Sequence, residues 1–257
     1  MVYLSRMVPR IRACRRVTLF LAIAAAGAVT LAVHAWAGSR VTLVELYTSQ
    51  GCSSCPAADE FLGELAKRPD IIPLSFHVDY WDYIGWKDPF AKPQFTKRQR
   101  SYSGQFKRGY VYTPQMIVQG AFDATGSDRS VVENAILEAK HFENVDISIE
   151  RVKDGGMVIA IGNRKGSSAG VWLAFFDGVH VTKVKRGENR GRTVKNYNVV
   201  RSLDRIGDWQ GDAISIPVSK EQMSREGKGR DGCAVFLQAD EKGPILGVAE
   251  LNLTPRN

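Results

Sequence analysis

Two cysteines three residues apart, Cys52 and Cys55, constrain this chain more than any other feature, because they lie between a predicted strand and a predicted helix. Residues 41–47 are rich in β-branched and apolar side chains, which is typical of a buried strand. From residue 58 to residue 66, apolar residues recur at the spacing of an amphipathic helix. The sequence therefore predicts a strand, a tight turn that carries both cysteines, and a helix.

The position of Cys52 favours redox chemistry. A thiol at the start of a helix faces unpaired backbone N–H groups and the positive end of the helix dipole, which stabilise its thiolate form. Cys52 is therefore the candidate nucleophile. Cys55 lies one turn deeper, just before Pro56, and is placed to attack a mixed disulfide formed at Cys52.

A C-x-x-C pair also has two other interpretations, a permanent structural disulfide and half of a zinc site. Zinc needs about four ligands, but Cys233 is the only cysteine downstream of the pair and the sequence has no H-x-x-x-H. A structural bridge stays open as an alternative, although so short a loop restrains the unfolded chain less than a long-range bridge would.

The first 37 residues have the pattern of a secretory signal peptide. Five arginines precede an apolar run over residues 17–33, and Ala-Trp-Ala at residues 35–37 forms a cleavage site before Gly38. We expect cleavage after Ala37 and a periplasmic or secreted location, where disulfides persist. The alternative is an uncleaved membrane anchor, since the run is at the lower edge of a spanning length. Cleavage would leave no stable membrane span.

The leader also accounts for much of the charge. The formal net charge is +8, and it falls by five, to +3, without the leader's arginines. Binding of nucleic acid needs a basic stripe and a compartment that contains nucleic acid, and neither remains after export. We therefore expect no nucleic-acid partner.

Strands and helices alternate after the motif. Residues 71–78 and 112–118 have the composition of buried strands, and residues 91–106 and 130–139 carry apolar stripes of helical spacing. A polar and aromatic insertion, residues 79–93, follows the first of these strands. The predicted order is strand, helix, strand, helix, strand, helix.

With these elements in place, the first half of the chain resembles the thioredoxin fold. The resemblance rests on C-x-x-C at the start of a helix and on Thr113–Pro114, which opens a strand about sixty residues later. Longer strings resemble the secreted thioredoxin-like family catalogued as domain of unknown function 1223. They are residues 45–56, 77–82, 85–90 and 112–115.

The resemblance implies a fold and a location rather than a known reaction. It implies an α/β thioredoxin-like domain over residues 38–143, in which the Thr113–Pro114 bond is cis and Pro114 faces the disulfide. The backbone of Thr113 would then pair with an extended substrate segment beside the disulfide. Thr113 and Pro114 are thus candidate substrate-binding residues.

His77, just before the insertion, and Trp81, within it, are further candidates for substrate binding. His77 closes a strand and is a candidate proton shuttle or partner contact, or else a strand-end histidine satisfied by its neighbours. Trp81 belongs to an unusually aromatic stretch, which is either a substrate-binding lip or a satellite core under a long insertion.

From about residue 144 the pattern changes to short strands with glycine-rich turns. Residues 145–152 and 157–161 are predicted to form a hairpin. This half predicts an all-β, antiparallel sandwich-like C-terminal domain over residues 144–257. Further predicted strands are residues 171–176, 213–218, 234–238 and 245–251.

A basic segment, residues 183–205, separates two of these strands. Its cations could bind an anionic partner, although a solvated loop is the usual explanation of such a run. Its Gly-Glu-Asn-x-Gly stretch, residues 187–191, also recurs in the family that the chain resembles. Cys233 lies in an apolar strand, where we expect a buried, inert thiol; intermolecular pairing is the alternative.

These observations predict an exported protein that carries out thiol–disulfide exchange on extracytoplasmic protein thiols or disulfides. Cys52 would form a mixed disulfide that Cys55 resolves, and the exchange requires no cofactor. One alternative is a non-catalytic binding module with a structural disulfide. Another is a copper-handling protein that uses Cys52, Cys55 and His77, because soft thiolates suit Cu(I).

Overall fold

The computed structural model describes residues 41–224, 231–240 and 242–254, which belong to the unit Gly38–Asn257. The predicted signal peptide, residues 1–37, lies outside the described residues. The described part of the chain forms eleven β-strands and four α-helices. None of the helices in these ranges is long and apolar enough to cross a membrane.

The first half alternates strands and helices, as its hydrophobic spacing predicts. Strands β1 and β2 are parallel, and β3 and β4 extend the sheet in antiparallel fashion beside β1. A short 3-10 helix, Asp82–Ile84, lies in the aromatic insertion. The elements are β1 (Thr42–Thr48), α1 (Pro56–Leu65), β2 (Ile71–His77), α2 (Pro93–Gln105), β3 (Gln115–Val118), β4 (Phe122–Thr125) and α3 (Arg129–Ala139).

The second half is dominated by strands. The predicted hairpin is present as β5 and β6, and β7 is longer than its apolar run indicated. The elements are β5 (Ile147–Arg151), β6 (Met157–Ile161), β7 (Ala169–Lys183), β8 (Thr193–Trp209), β9 (Ile214–Val218), α4 (Lys220–Ser224), β10 (Gly232–Gln238) and β11 (Ile245–Asn252).

The predicted fold class, an α/β thioredoxin-like domain followed by an all-β sandwich-like domain, is wrong. Within the described residues, eight strands from both halves form one mixed sheet in the order β11-β10-β7-β8-β2-β1-β3-β4, and β5, β6 and β9 form a smaller sheet. The strand β8 joins the halves, because it pairs antiparallel with β7 and parallel with β2, where Ser75 lies opposite Val199.

The error has a physical cause in β8 itself. Most of this strand lies in the basic segment, residues 183–205, whose density of charge favours a solvated loop. Val194 and Asn196 share one face and are buried, while Lys195 between them is exposed. Further along the strand, the adjacent residues Val199 and Val200 are both buried. A strand whose second face meets solvent tolerates charges there, so charge density alone does not distinguish it from a loop.

The large sheet has a hydrophobic core on each face. Successive side chains of a strand point to opposite faces, and β1 divides accordingly: Val44 and Leu46 pack with α1 and α3, whereas Leu43 and Tyr47 pack on the side of α2. A third cluster joins the smaller sheet to β7 and β10. The C-x-x-C turn leaves the carboxyl end of β1, between these layers.

A buried ion pair fixes α2 to the sheet. Arg98 donates from Nε and Nη2 to the two carboxylate oxygens of Glu45, at 2.7 and 2.8 Å. The hydroxyls of Tyr47 and Tyr102 donate to the same carboxylate at 2.9 and 2.7 Å. Gln238 of β10 accepts from Arg98 Nη1 at 2.9 Å. The network therefore ties β1, α2 and β10 together.

Candidate thiol–disulfide site

Cys52 and Cys55 form a disulfide in the turn between β1 and α1, with Cα atoms 5.4 Å apart. The helix begins at Pro56, so Cys55 occupies the N-cap and Cys52 lies in the turn before it. The backbone N–H of Cys52 donates to the carbonyl of Ser49 at 3.1 Å, which closes that turn. The motif thus forms the junction between the sheet and the helix.

Both sulfur-bearing residues are buried, at 0% exposure. The two serines between them, Ser53 and Ser54, are exposed. The Ser54 hydroxyl lies 3.3 Å from the Sγ of Cys52, within hydrogen-bond distance of sulfur. An external thiol therefore reaches the disulfide only after a local opening of the structure.

The cover over the motif comes from the second half of the chain. We call residues 184–192, which connect β7 to β8, the covering loop. Asn189 is fully buried there, and its Nδ2 donates to the carbonyls of Gln50 at 3.0 Å and Cys52 at 2.8 Å. The Glu188 carboxylate accepts from the backbone N–H of Ser53 at 3.1 Å. Part of the basic segment therefore packs directly on the C-x-x-C motif and hydrogen-bonds to it.

A glycine allows the covering loop to approach the aromatic insertion. Gly187 has a positive φ of 73°, and a Cβ placed on it would lie 3.3 Å from Trp86 and 3.4 Å from Ile84. Residues other than glycine rarely adopt this backbone conformation without strain. The insertion and the covering loop thus meet beside the disulfide.

The Thr113–Pro114 peptide bond is cis, as predicted. Pro114 is buried, and its carbonyl accepts from the N–H of Gly126 at 2.9 Å. A Cβ placed on Gly126 would lie 3.1 Å from the Cβ of Ala58, in the first turn of α1. The cis-proline segment therefore lies beside the helix that carries the motif.

Trp81 and Thr113 are direct partners. The indole Nε1 of Trp81 donates to Thr113 Oγ1 at 2.8 Å, and both residues are partly exposed. A Cβ placed on Gly51, next to Cys52, would lie 3.3 Å from the Cβ of Trp81. The structure thus brings the predicted substrate-binding residues Trp81, Thr113 and Pro114 to the motif's neighbourhood.

His77 is fully buried, so it is not a surface contact. Its Nδ1 lies 2.7 Å from Asp88 Oδ2, and Asp88 also accepts from the N–H groups of Gln50 at 2.7 Å and Phe90 at 2.9 Å. Burial alone would lower the pKa of His77, but the charge and hydrogen bond of Asp88 outweigh it and raise the pKa. The pair therefore favours its charged form.

Asp59 is a second buried acid below the motif. It lies on α1 four residues after Cys55, and its Oδ2 accepts from the hydroxyl of Thr48 at 3.2 Å. Burial raises the pKa of Asp59 to about 7, against the opposing charge of His77. Asp59 therefore gains and loses its proton near neutral pH.

Comparison with known proteins identifies a family that matches most of this chain. The family described as protein of unknown function (DUF1223) matches residues 43–238. The chain belongs to the DUF1223 family. This confirms the family resemblance noted in the sequence, and the matched range contains the motif, the covering loop and both buried acids.

A crystal structure of a protein from Agrobacterium tumefaciens is similar to this DUF1223 chain. The two share 32% identity with a TM-score of 0.72, over 84% of this chain and 96% of that chain. No curated protein matches the chain.

Sequence reasoning missed the two acids of this DUF1223 site. Asp59 carries a signal, because it lies next to Ala58 on the face of α1 that packs inward, where an acid is unexpected. Asp88 carries no comparable signal, since it lies in a polar insertion and only the fold brings it to His77. Among the described residues, the buried side-chain atoms that lack a hydrogen-bond partner include Asp59 Oδ1, His77 Nε2 and Asn196 Nδ2.

Two other hypotheses from the sequence assign the cysteines roles other than thiol–disulfide exchange. Among the residues that the structure describes, no group of three His, Cys, Asp or Glu side chains is arranged to hold a metal ion, so the copper set of Cys52, Cys55 and His77 has no support from geometry. Cys233 is buried in β10, with its Sγ 3.9 Å from the Sδ of Met157. This is the environment expected of an inert core thiol.

Proposed function

We propose that this DUF1223 protein is an exported thiol–disulfide oxidoreductase that acts through Cys52 and Cys55 on extracytoplasmic protein partners. The observation that carries the proposal is the pair Cys55 and Asp59. Residues four apart on a helix are neighbours on one face, and here both are buried. A disulfide with a purely structural role does not require a neighbouring acid with a pKa of about 7, whereas proton transfer to a leaving thiolate does.

The exchange balances without any further reactant. A partner thiolate attacks the Sγ of Cys52, a new S–S bond forms, and the bond between Cys52 and Cys55 breaks. The electron pair leaves on Cys55, and protonated Asp59 supplies the proton that converts this thiolate to a thiol. In the reverse direction Asp59 accepts the proton of Cys55, whose thiolate then attacks Cys52 and releases the partner.

One contact and the position of Cys55 support Cys52 as the sulfur that meets the partner. The Ser54 hydroxyl at 3.3 Å is a donor available to a Cys52 thiolate in the reduced protein. Cys55 has the N-cap position with α1 beneath it, and its neighbour Asp59 is buried. In the proposal, Cys52 therefore exchanges with the partner and Cys55 resolves the mixed disulfide.

The remaining candidates take roles in binding. Thr113 and Pro114 form the segment against which an extended partner lies, and Trp81 holds the Thr113 side chain through its indole N–H. His77 keeps Asp88 charged and lowers the cost of ionising Asp59. His77 is in this proposal a positioning residue rather than a partner contact.

Export is part of the proposal because the first 37 residues have the signal-peptide pattern. The expected mature protein begins at Gly38. Intact-mass analysis of the exported protein measures this directly. A mass that includes residues 1–37, in the membrane fraction, would contradict cleavage and indicate a tethered protein.

The deciding experiment combines a reduction potential with trapping. We expect a Cys52–Cys55 potential above about −300 mV, the range below which disulfides resist cellular reductants. Cys55→Ser should accumulate mixed disulfides through Cys52, and Cys52→Ser should accumulate almost none. Cys233→Ala is the control, because it removes the third thiol without burying a hydroxyl in the core, and it should capture as little partner as wild type.

A second candidate function is a binding module whose disulfide is structural. The observation that favours it is the complete burial of both sulfurs. A potential well below about −300 mV, together with no captured partner in either variant, would favour this candidate over exchange.

A further inference from the structure

We infer that the covering loop and its flanks recognise an acidic polypeptide segment around the partner's reactive cysteine. This inference rests on the proposed exchange function and names the class of partner. Three observations support it: the covering loop and its flanks are rich in cations, these cations form no ion pairs within the described residues, and the loop packs on the C-x-x-C motif.

The loop region is strongly basic. Between residues 183 and 195 there is one acid, Glu188, and all the cations in the segment are exposed. These cations are Lys183, Lys185, Arg186, Arg190, Arg192 and Lys195.

Most of these charges have no carboxylate partner. Arg192 donates to the side-chain carbonyl of Asn189 at 3.2 Å. Across the described ranges, none of the six cations forms an ion pair, whereas Arg68, Arg98 and Arg108 elsewhere all do. The segment therefore presents an uncompensated positive field to solvent.

This field lies at the disulfide. Glu188 and Asn189 contact the backbone of Ser53 and Cys52, and Arg190 is the next residue along the loop. An acidic partner that approaches Cys52 meets these cations first. Its carboxylates also compete with Glu188 for the Ser53 N–H and repel Glu188, so binding favours the opening that exposes the sulfurs.

The spread of the cations favours a polypeptide over a small acidic thiol. Lys183 lies opposite Thr193, and Lys195 lies opposite Val181, so the charges occupy both arms of the β7–β8 hairpin as well as its loop. At about 3.3 Å per residue, these positions extend over more than about 10 Å. One small thiol spans only part of that distance, whereas a segment with several acids spans it all.

The test measures rates of reduction of the Cys52–Cys55 disulfide in the mature protein. The probes are two short cysteine peptides of equal length, one flanked by Asp and Glu and the other by Lys, together with 2-mercaptoethanesulfonate as a small anionic thiol. At low ionic strength we expect the acidic peptide to react about tenfold faster than the basic peptide. The preference should shrink at about 1 M salt, where the Debye length is about 3 Å.

Matched charge variants separate local recognition from net charge. Lys185→Glu with Arg186→Glu should abolish or reverse the preference for the acidic peptide. Lys153→Glu with Lys165→Glu changes the net charge equally, at exposed turns beside β6, and should retain the preference.

Each outcome bears on a separate claim. Equal rates for the two peptides, or equal loss of preference in both double variants, would overturn the inference and leave the exchange function standing. A rate advantage for the small anionic thiol as large as that of the acidic peptide would overturn recognition of a polypeptide. Failure of every probe to reduce the disulfide would instead count against the exchange function itself.

Discussion

The side-chain amide of Asn189 donates to the backbone carbonyl of Cys52 at 2.8 Å, although 137 residues separate them in sequence. The same nitrogen donates to the carbonyl of Gln50 at 3.0 Å. These two bonds hold the covering loop on the C-x-x-C turn. They make the accessibility of the disulfide depend on a residue from the second half of the chain.

Asn189→Ala should therefore make the disulfide easier to reach. Two buried hydrogen bonds are lost, each with a net contribution of about 1 kcal/mol, so we expect reduction by dithiothreitol to accelerate about thirtyfold. The control is Asn144→Ala, which removes an amide that donates to the Val41 carbonyl at 3.3 Å. Stopped-flow rates equal to wild type for Asn189→Ala would contradict the role of the covering loop.

Asp59→Asn should change how stability depends on pH. The pKa of Asp59 is about 7 in the folded protein and 3.8 in the reference state, so the folded state binds the extra proton between these values. Its stabilising effect is present below pH 3.8 and is lost as pH rises through 7. Asparagine does not titrate, so the variant does not lose stability in this way. Its free energy of unfolding, relative to that of wild type, should therefore rise by about 4 kcal/mol between pH 4 and pH 8.

Urea unfolding at several pH values measures the effect of Asp59→Asn. Asp70→Asn is the opposite control, because hydrogen bonding from Arg68 lowers the pKa of Asp70 to about 2. That group stabilises the fold above pH 3.8 and loses the effect as pH falls toward 2. A parallel pH dependence for wild type and Asp59→Asn would show that Asp59 does not titrate as proposed.

Asp59→Asn should also alter exchange. Without a proton to donate, the variant's disulfide should be reduced more slowly below pH 7, and its rate should lack the inflection near pH 7 that we expect of wild type. Rates with the acidic cysteine peptide across pH 5 to 9 would show this. If the pH dependence of the rate is unchanged in the variant, another group transfers the proton.

Arg98→Met should destabilise the protein by about 3–5 kcal/mol, because it leaves the buried Glu45 carboxylate without its cation. Adding Glu45→Gln should recover a large part of this loss, since the amide carries no charge into the core. Equilibrium unfolding of both variants provides the comparison. If the double variant is no more stable than Arg98→Met, packing rather than charge explains the loss.

Gly63→Ala should weaken the packing of β8 on α1. A Cβ at this position would lie 2.6 Å from the ring of Tyr197, and such crowding typically costs about 1–3 kcal/mol. Gly104→Ala on α2 is the matched control, where a Cβ would meet nothing within 4 Å. That change should stabilise α2 by about 0.5–1 kcal/mol through helix propensity. Thermal unfolding distinguishes the two directions.

Local spacing predicted much of the first half correctly. The strand before Cys52 and the helix after Cys55 are both present. The cis bond before Pro114 is also present, but the resemblance to the thioredoxin fold implied it and spacing did not. Periodicity sufficed there because each apolar stripe packs on one face of a continuous layer. The second sheet also begins with the predicted hairpin, β5 and β6.

The fold class could not be predicted in the same way. It depends on β8, where exposed charged residues alternate with buried ones such as Val194 and Val199, so the sequence resembles a solvated loop. Only its pairing with β2 and β7 makes it a central strand. No local pattern in the sequence encodes which distant strand supplies those partners.

The sequence by itself determined the C-x-x-C pair, Cys52 and Cys55, and the helix that follows it, because neighbouring residues set helix and strand periodicity. Only the tertiary structure decided that Asn189 seals the motif and that His77, Asp88 and Asp59 lie beneath it. These relationships join residues far apart in the chain. Burial and charge at such a site depend on what packs against each side chain, which local sequence does not specify.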